Sequence, residues 1–381
     1  MKHNTLKFPN KSKPEFVSEL RLEVKNYFEE KGLSKYGNRS LIVKSVFMVL
    51  LYFVPYVLML TGIITTFPLI LLAWSLMGVA MAGIGMGLMH DANHGSFSKN
   101  PKVNKWLSKS LYLLGGFPPN WRYQHNTMHH GFTNIDGHDE DIAPAGVLRF
   151  SPHKPLLKIH KFQHWYAWFF YGLMTISWAI SKDIKQLSGY KKENVKLSSP
   201  KNYKQLFIDL SISKILYFTI FIVLPIILLP IPWYLTLLSF FVMHFIAGVI
   251  LGVIFQSAHV VPTSEYPLPD ESGNLENNWA IHQLLTTSDF APKSRLLSWY
   301  AGGLNFQVEH HLFPNISHVH YKNLSPIVKR IAAKHNLPYY VETSFFQALK
   351  SHAKMLSFLG KIKPENFLIL NGKQKQVSLS V

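Results

Sequence analysis

Residues 45–89 contain no Asp, Glu, Lys or Arg, and neither do residues 215–258. Each block is about twice the roughly 20 residues that cross a bilayer once. Each therefore reads as a hairpin of two transmembrane helices, with turns at Thr61–Thr66 and Pro230–Trp233. Because a hairpin returns to the side it left, segments 1–44, 90–214 and 259–381 fall on one face of the membrane. Lys2, Lys7, Lys11, Lys13, Arg21, Lys25, Lys31, Lys35 and Arg39 precede the first block, and neither turn carries a Lys or Arg. The positive-inside rule places that face in the cytoplasm. The expected architecture is an all-α, multi-pass integral membrane protein with four transmembrane helices in two hairpins and a cytoplasmic helical cap. A basic N-terminal segment occupies 1–44, the hairpins occupy 45–89 and 215–258, and the cap is built from 90–214 and 259–381. Within the cap, the aromatic stretch 161–180 reads as an interfacial helix, since a further crossing would put the last segment on the wrong side.

Three compositional facts narrow the chemistry. The net charge of +18 suits contact with anionic lipid headgroups and attraction of an acidic redox partner or a phosphorylated carrier. A nucleic-acid binder would also be basic, but it would not carry uncharged blocks of this length. The chain has no cysteine, which excludes disulfides, thiolate zinc sites and cysteine-held iron–sulfur clusters within it. The first residues lack the apolar core of a signal peptide, so the first hairpin is expected to stay as a membrane segment.

The 19 histidines gather at the ends of the uncharged blocks. His90 follows the first directly and His259 the second. His90 and His94 are four apart, as are His125 and His129, a spacing that puts each pair on one helical face. His130 would point about 100° further round, which would let this cluster serve two metals. In Gln307-Val308-Glu309-His310-His311, positions 307, 310 and 311 share a face, and Gln307 offers an oxygen ligand or a hydrogen bond to a metal-bound water. A lone interfacial histidine is more often a polar anchor than a ligand. Three clusters plus His259 are different, because packed neutral imidazoles would be poorly satisfied without a metal. Imidazole suits iron, copper, zinc and nickel alike. Eight histidines exceed what one structural zinc uses and fit two redox ions. A membrane metal-binding or transport protein without enzymatic activity would instead line the span interior with histidine, where only His244 lies.

These residues carry a resemblance. The stretches MHDANHGSFS (89–98), HNTMHHGFTNIDGHDEDI (125–142), FQSAHVVP (255–262), NWAIHQLLTTSDFA (278–291) and GGLNFQVEHHLFPNISHVHY (302–321) resemble those of the membrane fatty acid desaturases, in which three histidine boxes hold a di-iron centre. Gln in place of the first His of the third box is similar to the front-end subclass, whose members insert a cis double bond between an existing one and the carboxyl end, at the delta-6 or delta-5 position. The resemblance implies His90, His94, His125, His129, His130, His259, His310 and His311 as ligands of two iron ions, with Gln307 replacing a ninth histidine directly or through water. It implies O2 as co-substrate, a fatty acyl substrate on CoA or lipid, and Trp279, Gln283 and Thr287 near that substrate. The fused haem domain with its HPGG motif is not found, so a separate electron donor, a ferredoxin or a cytochrome b5-type protein, is expected. Asp91, Glu309 and Asp139–Asp141 are candidates for orienting ligand imidazoles, the last also reading as a solvated loop. A lipid hydroxylase of the same histidine-box class is the nearest rival.

Overall fold

The computed structural model describes residues 6–9, 13–144 and 146–367; of the basic N-terminal residues, Lys2 and Lys11 lie outside these. The first long apolar helix, α2 (Arg39–Leu60), follows an amphipathic α1 (Pro14–Glu30) and is capped by the Asn38 side chain, which accepts from the Leu41 N–H. A turn leads to α3 (Phe67–His94), opened by Pro68 in its first turn. Further along come α7 (Tyr203–Leu228), started by an Asn202/Gln205 capping box, and α8 (Trp233–His259). These four helices are long and apolar enough to cross a membrane. The helix breaks at 61–66 and 229–232 coincide with the expected turns. The helices begin earlier than the uncharged blocks, however, because charged residues continue them: Lys44 lies inside α2 and Lys214 inside α7. Lys214 is tolerated because its Nζ donates to Asp183 Oδ2 at 2.6 Å and to the Trp178 carbonyl at 2.6 Å.

Both α2 and α8 pack on α3. The approach of α3 to α8 is close enough that a Cβ on Gly78 would stand 2.5 Å from the Met243 carbonyl oxygen, so a small residue is required there. The opposite surfaces of α2 and α7 expose Val43, Phe47, Leu50, Ile212, Ile215 and Leu216. Apolar stripes on this scale are not compatible with water as the sole solvent. His244, deep in α8, is accounted for structurally: its Nε2 meets the Tyr217 hydroxyl at 2.8 Å and its Nδ1 the Thr175 hydroxyl at 3.0 Å.

Between the two helix pairs, residues 118–132 form an irregular helix, α4, with a π-helical centre at Arg122–His129. The aromatic stretch expected as one interfacial helix is two pieces broken at Leu173: α5 (Gln163–Gly172) and the helical run 174–192, α6. The α5 piece lies against α8, where a Cβ on Gly248 would meet the Tyr171 carbonyl at 2.5 Å. The α6 piece returns beside α7 and α4, tied by Asp183 to Lys214 and by Asn120 Nδ2 to the Asp183 carbonyl at 2.8 Å.

After α8 the chain adds α9 (Trp279–Thr286), α10 (Gln307–Leu312), α11 (Tyr321–Lys334) and α12 (Phe345–Leu359). α1 packs on α11 around a core that includes Phe16, Leu20, Leu324 and Val328. The chain is mostly helical, as expected, and its described sheet is one short parallel pair, β1 (Asp289–Phe290) with β2 (Val341–Glu342). This short pair pins the segment before α12 beside the one before α10 and satisfies the backbone groups of both.

Candidate metal centre

Four elements bring the histidines together. The last turns of α3 carry His90 and His94, just after a π-helical turn at Gly85–Met89. The π-helical part of α4 carries His125 and His129, its following turn carries His130, α8 ends on His259, and α10 carries His310 and His311. All are buried except His94, which is partly so.

The side chains fall into two sets. His90, His94, His125 and His310 each present a nitrogen within 4.8 Å of the others, and His129, His259 and His311 do the same. His130 stands between the sets, its Nε2 3.3 Å from His125 Nε2 and its ring stacked on that of His311 at 4.4 Å between centroids. His125 and His129 keep the shared face that their spacing predicts, their rings stacked at 5.3 Å between centroids, and from the π-helical segment His125 also joins the first set and His129 the second. His125, His129 and Asp141 also lie within the same 4.8 Å limit, so a carboxylate is available where the sets adjoin.

The outer nitrogens explain the orientation of the inner ones. His129 Nδ1 faces Asp139 Oδ2 at 3.1 Å, His310 Nδ1 the Tyr321 hydroxyl at 3.1 Å, His311 Nδ1 Gln283 Oε1 at 2.8 Å, and His259 Nδ1 the Thr286 carbonyl at 3.4 Å. An imidazole that donates from Nδ1 keeps its lone pair on Nε2. The Nε2 atoms of His94, His129, His259, His310 and His311 are buried without a partner among the described residues, and His90 and His125 bring their Nε2 atoms to 3.2 Å. Each buried unsatisfied polar group costs about 1–3 kcal/mol, so this arrangement suits cations at its centre and little else. Protonation does not relieve it: burial, then neighbouring imidazoles, hold His125, His130, His310 and His311 well below the ordinary histidine value. At His129 burial also pushes downward, but the Asp139 carboxylate outweighs it and the value rises. Neutral imidazoles fixed from behind by carboxylate, amide and hydroxyl groups are the donor set a divalent transition metal takes.

Gln307 is buried on α10, and its Oε1 has no partner among the described residues. Together with His90, His125 and His310 it borders a cavity of about 520 Å³. The three residues expected near a substrate sit elsewhere, behind the histidines. Trp279 Nε1 donates to the His130 carbonyl at 2.9 Å, Gln283 orients His311 and donates to the same carbonyl at 3.2 Å, and Thr287 donates its hydroxyl to the Gln283 carbonyl. None of the three borders the cavity.

Of the acidic residues read as orienting groups, Asp139 does hold an imidazole and also accepts from the Asn134 N–H at 2.9 Å. Asp91 instead serves Ser317 at 2.7 Å and lies 3.0 Å from His318 Nδ1. Glu309 accepts from the Tyr339 hydroxyl at 2.8 Å, and the same hydroxyl lies 2.6 Å from Asp289. Burial, with Asp289 beside it, raises Glu309 well above the usual carboxyl range. Neither touches a clustered imidazole, because each adjoins a histidine on its helix by one residue and so points about 100° away. Tyr321 and the outer role of Gln283 were not read from the sequence. Both lie at a distance along the chain from the histidines they hold, and no local spacing signals them.

Comparison with known proteins bears on this geometry. The family model described as fatty acid desaturase matches residues 65–343. The chain is 35% identical over 344 residues to the sn-1 linoleoyl-lipid 6-desaturase of Synechocystis sp., covering 90% of this chain and 94% of that one. It is 30% identical over 354 residues to the protein of the same description from Arthrospira platensis, covering 92% and 94%. To the acyl-lipid (8-3)-desaturase of Physcomitrium patens it is 32% identical over 364 residues, covering 94% of this chain and 74% of that one.

Proposed function

Since the chain belongs to the fatty acid desaturase family, we propose that it is a front-end acyl desaturase, placing a cis double bond at the delta-6 or delta-5 position of a chain that is already unsaturated. The observation that carries this reading is the pair of histidine sets, the first of which, through His90, His125 and His310, borders a cavity whose wall includes apolar side chains such as Leu251, Ile254 and Phe255. His90, His94, His125, His129, His130, His259, His310 and His311 would hold two iron ions, and Gln307 would add an oxygen ligand or hold a water there. Iron so held supplies the O2-dependent removal of two hydrogens from adjacent methylenes, with two electrons from a donor completing reduction of O2 to water.

The protein's own residues have three tasks in this scheme. Asp139, Tyr321, Gln283 and the Thr286 carbonyl fix the ligand tautomers. The apolar wall excludes water and aligns the chain, so that one pair of methylenes rests against the centre. The four apolar helices would form two membrane hairpins, 45–89 and 215–258 at their cores, with the histidines, segments 90–214 and 259–381 and the basic N-terminus in the cytoplasm. The lysine-rich N-terminal segment and the uncharged turns support that orientation. Electrons would come from a separate ferredoxin or cytochrome b5-type donor, with membrane lipids or acyl-CoA presenting the substrate.

The test is the fatty-acid profile of yeast expressing the chain and fed linoleate, beside His130→Ala. A trienoic acid newly unsaturated towards the carboxyl end, absent in the variant although the variant inserts normally, is the expected result. A hydroxylated product would favour the histidine-box hydroxylase reading, and activity retained by His130→Ala would remove that residue from the ligand set.

A further inference from the structure

The two histidine sets differ in how they can be reached. His90, His125 and His310 of the first set border the cavity, and none of the second set does. His129, His259 and His311 are also at most 1% exposed. The cavity therefore offers a metal ion a way to the first set. Filling the second needs either passage through an occupied first set or a neighbouring segment that moves aside.

Behind the second set stands a histidine that the metal centre does not use. The Thr133 hydroxyl donates to the His129 carbonyl at 2.7 Å and lies 3.3 Å from His311 Nδ1, while the Thr133 backbone bonds the His282 ring. His282, on α9 beside Gln283, is 3% exposed, and its Nε2 is buried without a partner among the described residues. Burial pushes it down to about 4, so the ring is neutral in the cell and offers a lone pair. The Phe8 ring meets the His282 ring edge-on at 5.2 Å between centroids and stacks on Phe132 at 6.1 Å. Phe8 belongs to residues 6–9, which lie on the loop between α8 and α9. There the Lys7 N–H donates to the Gly273 carbonyl at 3.0 Å and the Leu275 N–H to the Lys7 carbonyl at 2.9 Å, with Lys7 opposite Asn274. A segment held by two backbone hydrogen bonds and a ring contact opens at far smaller cost than the helices beneath it. The surface that receives it is an acidic island in a chain of net charge +18: residues 262–292 contain five Asp or Glu and no Lys or Arg. Glu265, Asp270, Glu271 and Glu276 are exposed there, offset in part by Lys7 and by Lys154, which pairs with Asp136 at 3.2 Å. Such a surface draws divalent cations towards it.

We propose that residues 6–9 are a movable cover over an iron-entry route to the second histidine set, and that His282 takes an incoming Fe(II) ion first and hands it on to His129, His259 and His311. This inference rests on the di-iron reading above and adds how the centre is filled. Each transfer replaces one lone-pair donor on the ion by another: water leaves as His282 Nε2 binds, and His282 leaves as the inner imidazoles bind. The ion keeps its charge and oxidation state throughout. With Phe8 back in place over His282, the filled set is again shut off from solvent.

The full-length apo protein, stripped by a chelator in detergent, would be mixed anaerobically with Fe(II) and the iron retained per chain followed in time. Wild type would be compared with Lys7→Cys/Asn274→Cys, both with its disulfide formed and reduced, and with Phe8→Ala and His282→Leu. The disulfide joins the paired positions and fixes the cover shut, and the chain has no native cysteine to compete with it. It is expected to slow uptake of one of the two ions about tenfold and leave the other fast, with reduction restoring the wild-type course. Phe8→Ala should speed the slow ion. His282→Leu should slow it while reaching the wild-type iron content, whereas a merely structural histidine would lower the final content and leave the rate unchanged. Equal uptake by the oxidised and reduced forms, or a wild-type rate in His282→Leu, would overturn the inference. Wild type that retains no iron would reject the metal centre and the entry route with it. Wild type that loads two ions but forms no new unsaturated product from linoleate in yeast would reject the desaturase reading alone.

Discussion

At the scale of single residues, the groups that hold the imidazoles from behind are as informative as the imidazoles. Asp139 is the clearest case: it is buried, bonds His129 Nδ1, and is itself fixed by the Asn134 N–H. Asp139→Ala is expected to lower iron affinity about 10–100-fold, measured as iron bound per protein after purification under limiting metal. Gln283→Ala should act in the same direction through His311, since Gln283 Oε1 is the acceptor for its Nδ1. If Gln283 instead met substrate, that variant would raise KM at normal iron content. The sequence made the ligand types legible because imidazoles recur at short spacings. It did not reveal their partners: Tyr321 follows His310 by 11 residues, and Gln283 precedes His311 by 28, so only the fold brings them into contact.

At the scale of elements, the uncharged blocks marked the apolar helices and their turns well, because a span must be apolar whatever its neighbours. They were less informative at the helix starts, where Lys44 and Lys214 continue helices that an uncharged window stops short of. The π-helical segments were not legible at all, since a π-turn follows from local packing and has no composition of its own. They have consequences for the site. Deleting Thr127 would return Arg122–His129 towards α-helical register and rotate His125 relative to His129. Such a variant is expected to keep its helical circular dichroism while losing most bound iron. A different kind of failure is expected from Gly78→Leu. Because the Met243 carbonyl oxygen lies 2.5 Å from the point a Cβ would occupy, α3 and α8 must separate, and thermal stability in detergent should fall by several degrees together with metal content, because His90, His94 and His259 ride on those two helices.

At the scale of the whole molecule, topology can be tested directly because the chain has no cysteine. Thr65→Cys and Pro230→Cys place thiols in the two turns between apolar helices, and Lys105→Cys places one on the histidine side. In intact cells a membrane-impermeant thiol reagent is expected to label the first two and to reach the third only after permeabilisation; the reverse pattern would invert the proposed orientation. α3 and α8 contain 28 and 27 residues, about 42 and 40 Å of helix against a hydrocarbon core of about 30 Å. Both histidine-bearing ends can therefore stand clear of the bilayer while the helices still span it.

The inward Nε2 atoms have a further meaning for the life of the protein in a cell. They belong to four stretches separated by more than two hundred residues, from His90 to His311, and no other side chain among the described residues answers them. A chain synthesised without iron would keep its apolar helices in place and hold its histidine ends only loosely, leaving them open to proteases. Ligand binding stabilises the folded state by mass action. With iron as the proposed occupant, the abundance of the enzyme, as well as its turnover, should follow the iron supply, making the metal a condition of survival and tying the unsaturation of acyl chains to the nutritional state of the cell.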